Sequence, residues 1–197
     1  MSVGRLHRLL CIVFPLTATS CVSGNHYLTG RTQDPGRIQA GAAVEVVQFG
    51  DRLAPTPRLD ARVGLVPRLD MGVFYSGAFG ADVRVQPIRS TWFDVALATR
   101  LHVWPMLPGA GVAWDGFAIL SPNLGIVTPT VSPGFAWRLT DPSKLVPRVG
   151  LGLQLRVTDR IALAAEVTYV NELSNADAPR GLRFGLGIRS RDGDGYP

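Results

Sequence analysis

Seven arginines and six carboxylates stand at one parity within runs that alternate with apolar residues. They are Arg62, Arg84, Arg100, Arg148, Arg156, Arg183 and Arg189 against Glu45, Asp60, Asp70, Asp82, Asp94 and Glu166. A guanidinium meets a carboxylate through two parallel hydrogen bonds, so this near-balanced set, gathered in one enclosed space, neutralises itself rather than lining a path for ions of one sign. His102 shares the parity, and Asp94, Arg100 and nearby strands can supply partners for a buried histidine–carboxylate pair. Hydrolytic chemistry needs a nucleophile as well. No Gly-x-Ser-x-Gly elbow occurs, and no serine recurs at a spacing that marks one. Asp192, Gly193, Asp194 and Gly195 form a fragment of a calcium loop without its remaining oxygen ligands, which reads as a solvated tail. With no phosphate loop, dinucleotide fingerprint or His/Cys metal spacing, no cofactor and no metal is implied.

The elements that carry these charges alternate with period two. In 37–48, Ile38, Ala40, Ala42, Val44 and Val46 oppose Gln39, Gly41, Ala43 and Glu45. In 92–104, Phe93, Val95, Leu97, Leu101 and Val103 oppose Asp94, Ala96, Ala98, Arg100 and His102. Comparable runs occupy 58–65, 69–75, 81–86, 148–157, 161–169 and 182–189. Successive side chains of a strand point to opposite faces, so each run is a strand with one apolar face and one polar or small face. The middle, interrupted by Pro122, Pro129 and Pro133, reads as two further strands over 113–120 and 125–137, with Pro129 and Pro133 at bulges or irregular rims. That makes ten strands, or eight if the proline-rich middle forms a loop. Short links near 66–68, 89–91, 121–124 and 158–159 alternate with longer ones over 50–57, 105–112, 140–146 and 171–178. Only 76–79 breaks that rule.

Composition bounds the reading. The chain has 197 residues, with 46% hydrophobic and 18% charged, so it buries or shields apolar surface and is not disordered. Its formal charge is +5, but 19 of the 20 basic residues are Arg and only Lys144 is Lys. Nothing in this marks a nucleic-acid surface. Residues 1–8 are basic and 9–19 mostly apolar, the order of a secretory leader, and that run is too short to cross a bilayer as a helix. Once the leader and Cys11 are removed, Cys21 is the lone thiol of an exported chain.

Ala18, Thr19 and Ser20 before Cys21 resemble the lipobox of bacterial lipoproteins. The resemblance implies a signal peptide over 1–20, acylation of Cys21, a lipid-anchored tether over 21–36 and a polar tail over 190–197. Val22 after the cysteine is compatible with sorting to the outer membrane. The second face of the strands is made of Gly, Ala and Arg with Asp or Glu, which suits the crowded lumen of a small barrel better than a solvated surface. Over 37–189 the chain therefore resembles small bacterial outer-membrane β-barrel proteins. The expected fold is all-β: a closed, antiparallel, up-and-down transmembrane barrel with outer-membrane lipids as its partner, any protein partner being left unidentified by the sequence. Its lumen is expected to be plugged by the charged network, giving a structural or loop-mediated interaction role. A lipid-anchored, lipocalin-like carrier of a hydrophobic ligand, a small channel and a lipid-acting enzyme are the alternatives, the enzyme disfavoured by the missing nucleophile.

Overall fold

The computed structural model describes residues 27–49, 52–104, 111–139, 145–170 and 181–190. The leader over 1–20, Cys21 and the tail beyond Ser190 lie outside the described residues. Ten strands are formed: β1 Ile38–Phe49, β2 Arg52–Val66, β3 Leu69–Tyr75, β4 Phe79–Arg89, β5 Phe93–Trp104, β6 Gly111–Pro122, β7 Val127–Arg138, β8 Leu145–Arg156, β9 Ile161–Val170 and β10 Gly181–Ser190. Each pairs antiparallel with its neighbour in sequence, and β1 pairs with β10 from Gly41↔Arg189 to Val47↔Arg183, which closes the barrel. The eight-stranded option is thus excluded.

One end of the barrel, the turn end, carries the links 67–68, 90–92, 123–126 and 157–160 together with the start of β1 and the end of β10. The opposite, loop end carries the β1–β2, β3–β4, β5–β6, β7–β8 and β9–β10 connections. The loop expected over 50–57 is mostly strand, because β1 and β2 pair down to Phe49↔Arg52. Pro55 and Pro57 disguise this. They are tolerated because β2 pairs with β3 only from Leu59 onward, so their missing N–H groups cost no ladder bond on that side. In β7, Pro133 falls in a gap of the β6–β7 ladder, between Phe117↔Gly134 and Leu120↔Val131, and Pro129 lies beyond it. The register shifts occur elsewhere, between Gly64 and Val66 of β2 and between Val85 and Ile88 of β4, the second at Pro87.

The faces sort as an inverted protein. Leu59 is 58% exposed and Leu186 71%, and Ile38, Val73, Val83, Leu97, Leu151, Leu163 and Ile188 likewise point outward. In a water-soluble barrel these side chains fill the interior; an apolar belt running round the whole wall is far larger than any patch a soluble monomer exposes. Most strands have 10 to 12 residues, enough for a tilted strand to cross the hydrocarbon of a bilayer. The soluble-carrier alternative needed this face inside, and the structure places it outside.

The tether expected over 21–36 is corrected for the part described. Tyr27, Leu28, Gly30, Arg31, Thr32 and Gln33 are buried, and the segment lies in the lumen before the chain reaches β1. It joins the wall at the turn end, where Gly36 N–H donates to the Gly64 carbonyl and Gly64 N–H to that of Arg37, both at 2.9–3.0 Å. A Cβ at Gly64 would lie 2.1 Å from the Asp34 carbonyl oxygen, so only glycine permits this approach. Polar, turn-rich sequence reads as an exposed linker only while the surface around it is water. Here the surroundings are inward carboxylates, amides and guanidiniums, which satisfy the same backbone groups.

Candidate functional site

Among the described residues, strand alternation concentrates the side chains able to do chemistry in the lumen. Asp70 on β3 is fully buried, and it accepts from Arg62 on β2, from Arg84 Nε on β4 at 3.1 Å and from the Gln33 backbone N–H at 2.9 Å. Arg62 also pairs with Asp82, which faces Arg100 Nη2 at 3.4 Å. Two residues back along β2, Asp60 pairs with Arg189 of β10 and lies 3.8 Å from Arg58. Arg58 reaches Glu45 at 3.5 Å, and Glu45 accepts from the Ser76 hydroxyl at 3.2 Å. Asp94 accepts from Gln86 Nε2 at 2.9 Å and from Arg31 Nε at 3.2 Å. Glu166 accepts from the Tyr27 N–H and the Thr168 hydroxyl. Arg183 is buried and Arg156 half-buried at inward positions. All thirteen charged residues singled out in the sequence therefore stand on the inner face.

His102 pairs with a residue that parity reasoning missed. Its Nε2 lies 2.6 Å from Asp115 Oδ2, which also sits 3.1 Å from Arg148 Nη1, and both His102 and Asp115 are fully buried. Asp94, one of the partners suggested by the sequence, is engaged by Gln86 and Arg31, and the partner comes from the neighbouring strand β6. Asp115 escaped because β6 breaks the polarity rule: Phe117 and Ile119 point inward while Gly116 and Ala118 occupy the outward parity. The cause is Leu28, which packs with Ala96, Ala98, Phe117 and Ile119 in an apolar cluster inside the barrel. Arg58 and Arg31 were missed too, the first at the margin of a run and the second in the segment read as tether.

Toward the loop end, aromatic rings separate the guanidiniums. Phe74 has Arg58 at 4.8 Å and Arg100 at 4.5 Å from its ring centre, and Phe117 has Arg148 at 5.0 Å. Such stacking attracts each cation and spaces like charges apart. Among the described residues, eight inward arginines of the strands and Arg31 of the segment face seven carboxylates, so the lumen carries both signs in close alternation.

These features define a class: a closed, ten-stranded antiparallel barrel with an apolar outer belt and a charged lumen occupied by the chain's own residues. Solved structures similar to the chain include a de novo designed transmembrane β-barrel, with 15% identity over 81% of this chain and 98% of that one and a TM-score of 0.40. The NanC porin matches with 11% identity over 79% and 98%, TM-score 0.47. Outer membrane phospholipase A from Escherichia coli matches with 10% identity over 78% and 90%, TM-score 0.44. No family model matches the chain, and no curated protein matches it. These likenesses are of barrel shape and bear on no activity.

Proposed function

We propose that the protein is a bacterial outer-membrane barrel whose lumen is plugged from within, and that it acts as a structural or loop-presenting interaction module rather than as an open pore. The observation that carries this reading is the burial of residues 27–33, all but the half-buried Thr29, among inward side chains of β3, β4, β5, β6, β9 and β10. A ten-stranded barrel is about wide enough for side chains to fill, whereas open aqueous channels belong to much larger barrels. Here the filling is doubled, by the charged network and by the segment. The apolar belt supplies the membrane part of the reading, and the lipobox-like residues before Cys21 supply a second attachment, an acylated N-terminus.

His102 and Asp115 serve the reading as packing partners of Arg148, since neither has surface through which a lipid could be reached. An assay of phospholipid composition with and without His102→Ala checks this: equal products support it, and a hydrolytic activity that His102→Ala abolishes rejects it. Planar-bilayer recording of the purified protein is the main test. Silence at ordinary voltages is expected. Stable, large, weakly selective conductance steps would show the lumen to be open. Mass spectrometry of the mature N-terminus tests the anchor, which requires a diacylated or triacylated Cys21.

A further inference from the structure

The wall completes its hydrogen bonding without the N-terminal segment. β1 pairs with both β2 and β10, and residues 27–36 join the wall through a single bridge, Pro35↔Gly64, with its flanking bonds. The segment is thus a guest in a finished barrel rather than one of its strands. What holds the guest is chiefly its backbone. The N–H groups of Gly30, Thr32 and Gln33 donate to Ser121 Oγ at 2.7 Å, Gln86 Oε1 at 3.1 Å and Asp70 Oδ2 at 2.9 Å. Tyr27 N–H donates to Glu166, while the carbonyls of Tyr27 and Thr29 accept from Arg189 and Arg84. Main-chain bonds supply affinity for an extended peptide, and pockets for chosen side chains supply selectivity.

The pockets are present. Leu28 enters the cluster formed by Ala96, Ala98, Phe117 and Ile119. A Cβ at residue 30 would lie 2.6 Å from the Asp94 carbonyl oxygen, so the site requires glycine there. Arg31 donates to Asp94 at 3.2 Å and to the Ser90 carbonyl at 3.3 Å. The demand is for an extended peptide of the form Leu-x-Gly-Arg.

We propose that the turn-end half of the lumen is a peptide-recognition site, occupied in cis by residues 27–34, and that it takes a peptide of the same chemistry in trans when its own segment is displaced. This deepens the plugged-barrel reading and rests on it. Displacement removes from Asp70, Asp94 and Glu166 the donors that the segment provides, and a buried carboxylate that loses one of its donors favours a replacement that restores it.

The test uses the full chain carrying Gly30→Leu and Arg31→Glu, folded in detergent, and a fluorescent synthetic peptide with the sequence of residues 27–36. By fluorescence anisotropy the double variant should bind the peptide at least tenfold more tightly than the wild-type chain does. A peptide bearing the same two substitutions should bind at least tenfold more weakly than the native-sequence peptide. Equal binding by both proteins, or equal binding of native and substituted peptides, overturns the proposal. Arg31→Ala, which keeps Gly30 and removes the Asp94 and Ser90 contacts, covers a folding failure of the double variant: it should capture the peptide more tightly than the wild type, and binding no better than the wild type's overturns the proposal as well. The readout is peptide binding and not conductance. A silent barrel that takes no peptide therefore fails here alone, and a wild-type barrel that conducts while its variant takes peptide fails the plugged reading alone.

Discussion

Toward the loop end the lumen is packed by side chains that belong to the wall: Phe74 between Arg58 and Arg100, and His102 on Asp115 beside Arg148. Toward the turn end the corresponding space is taken by residues 27–33, whose backbone bonds to Asp70, Gln86 and Ser121. The two halves solve one problem, filling a cylinder lined with charge, by different means. Wall-borne fillers are held in register by the strand ladders, so they cannot leave without unfolding the barrel. The guest segment is held by contacts that can be lost while the ladders persist. The two regions should therefore differ in what breaks when a contact is removed.

The largest effect is expected where the halves meet. Asp70 serves both, accepting from Arg62 and Arg84 of the wall and from Gln33 of the segment. Asp70→Ala leaves two buried guanidiniums facing each other and should cost about 3–5 kcal/mol in urea unfolding from detergent or bilayers. A cost near zero would mean that water, not ion pairing, fills that level. A lipid-facing control comes next: Leu151→Arg, outward near the middle of β8, should cost about 2–4 kcal/mol in a bilayer and much less in a soluble setting.

Within the guest half the effects should be smaller and of another kind. Gln86→Leu removes the acceptor of the Thr32 N–H and the donor to Asp94, leaving buried groups unsatisfied at about 1–3 kcal/mol. It should show first as proteolysis or hydrogen exchange of residues 27–34 while the strands remain protected. Simultaneous loss of strand protection would show the two halves to be one cooperative unit. The smallest change, Thr32→Val, deletes the hydroxyl bond to Gln86 at 2.9 Å but keeps the backbone one, for roughly 0.5–1.5 kcal/mol. If it releases the segment as fully as Gln86→Leu does, the reading by backbone is wrong.

The sequence alone determined the wall. Period-two alternation is a local property of each strand, so Leu97, Leu101 and Val103 against Asp94, Arg100 and His102 already assigned residues to faces, and short links between successive runs determined an antiparallel meander. It also showed that the inner face is a nearly neutral mixture of Arg with Asp and Glu. Two local signals misled. Pro55 and Pro57 made strand look like loop, because the tolerance for proline depends on whether a neighbouring strand pairs there. Phe117 and Ile119 broke the polarity of β6, because their apolar partner Leu28 lies far away along the chain. Which carboxylate meets which guanidinium, that His102 takes Asp115 across the β5–β6 ladder, and that residues 27–33 turn into the lumen were decided only by the tertiary structure. Alternation records which face a side chain occupies; a partner on another strand, or a guest with no period of its own, is specified by register, closure and the space left inside.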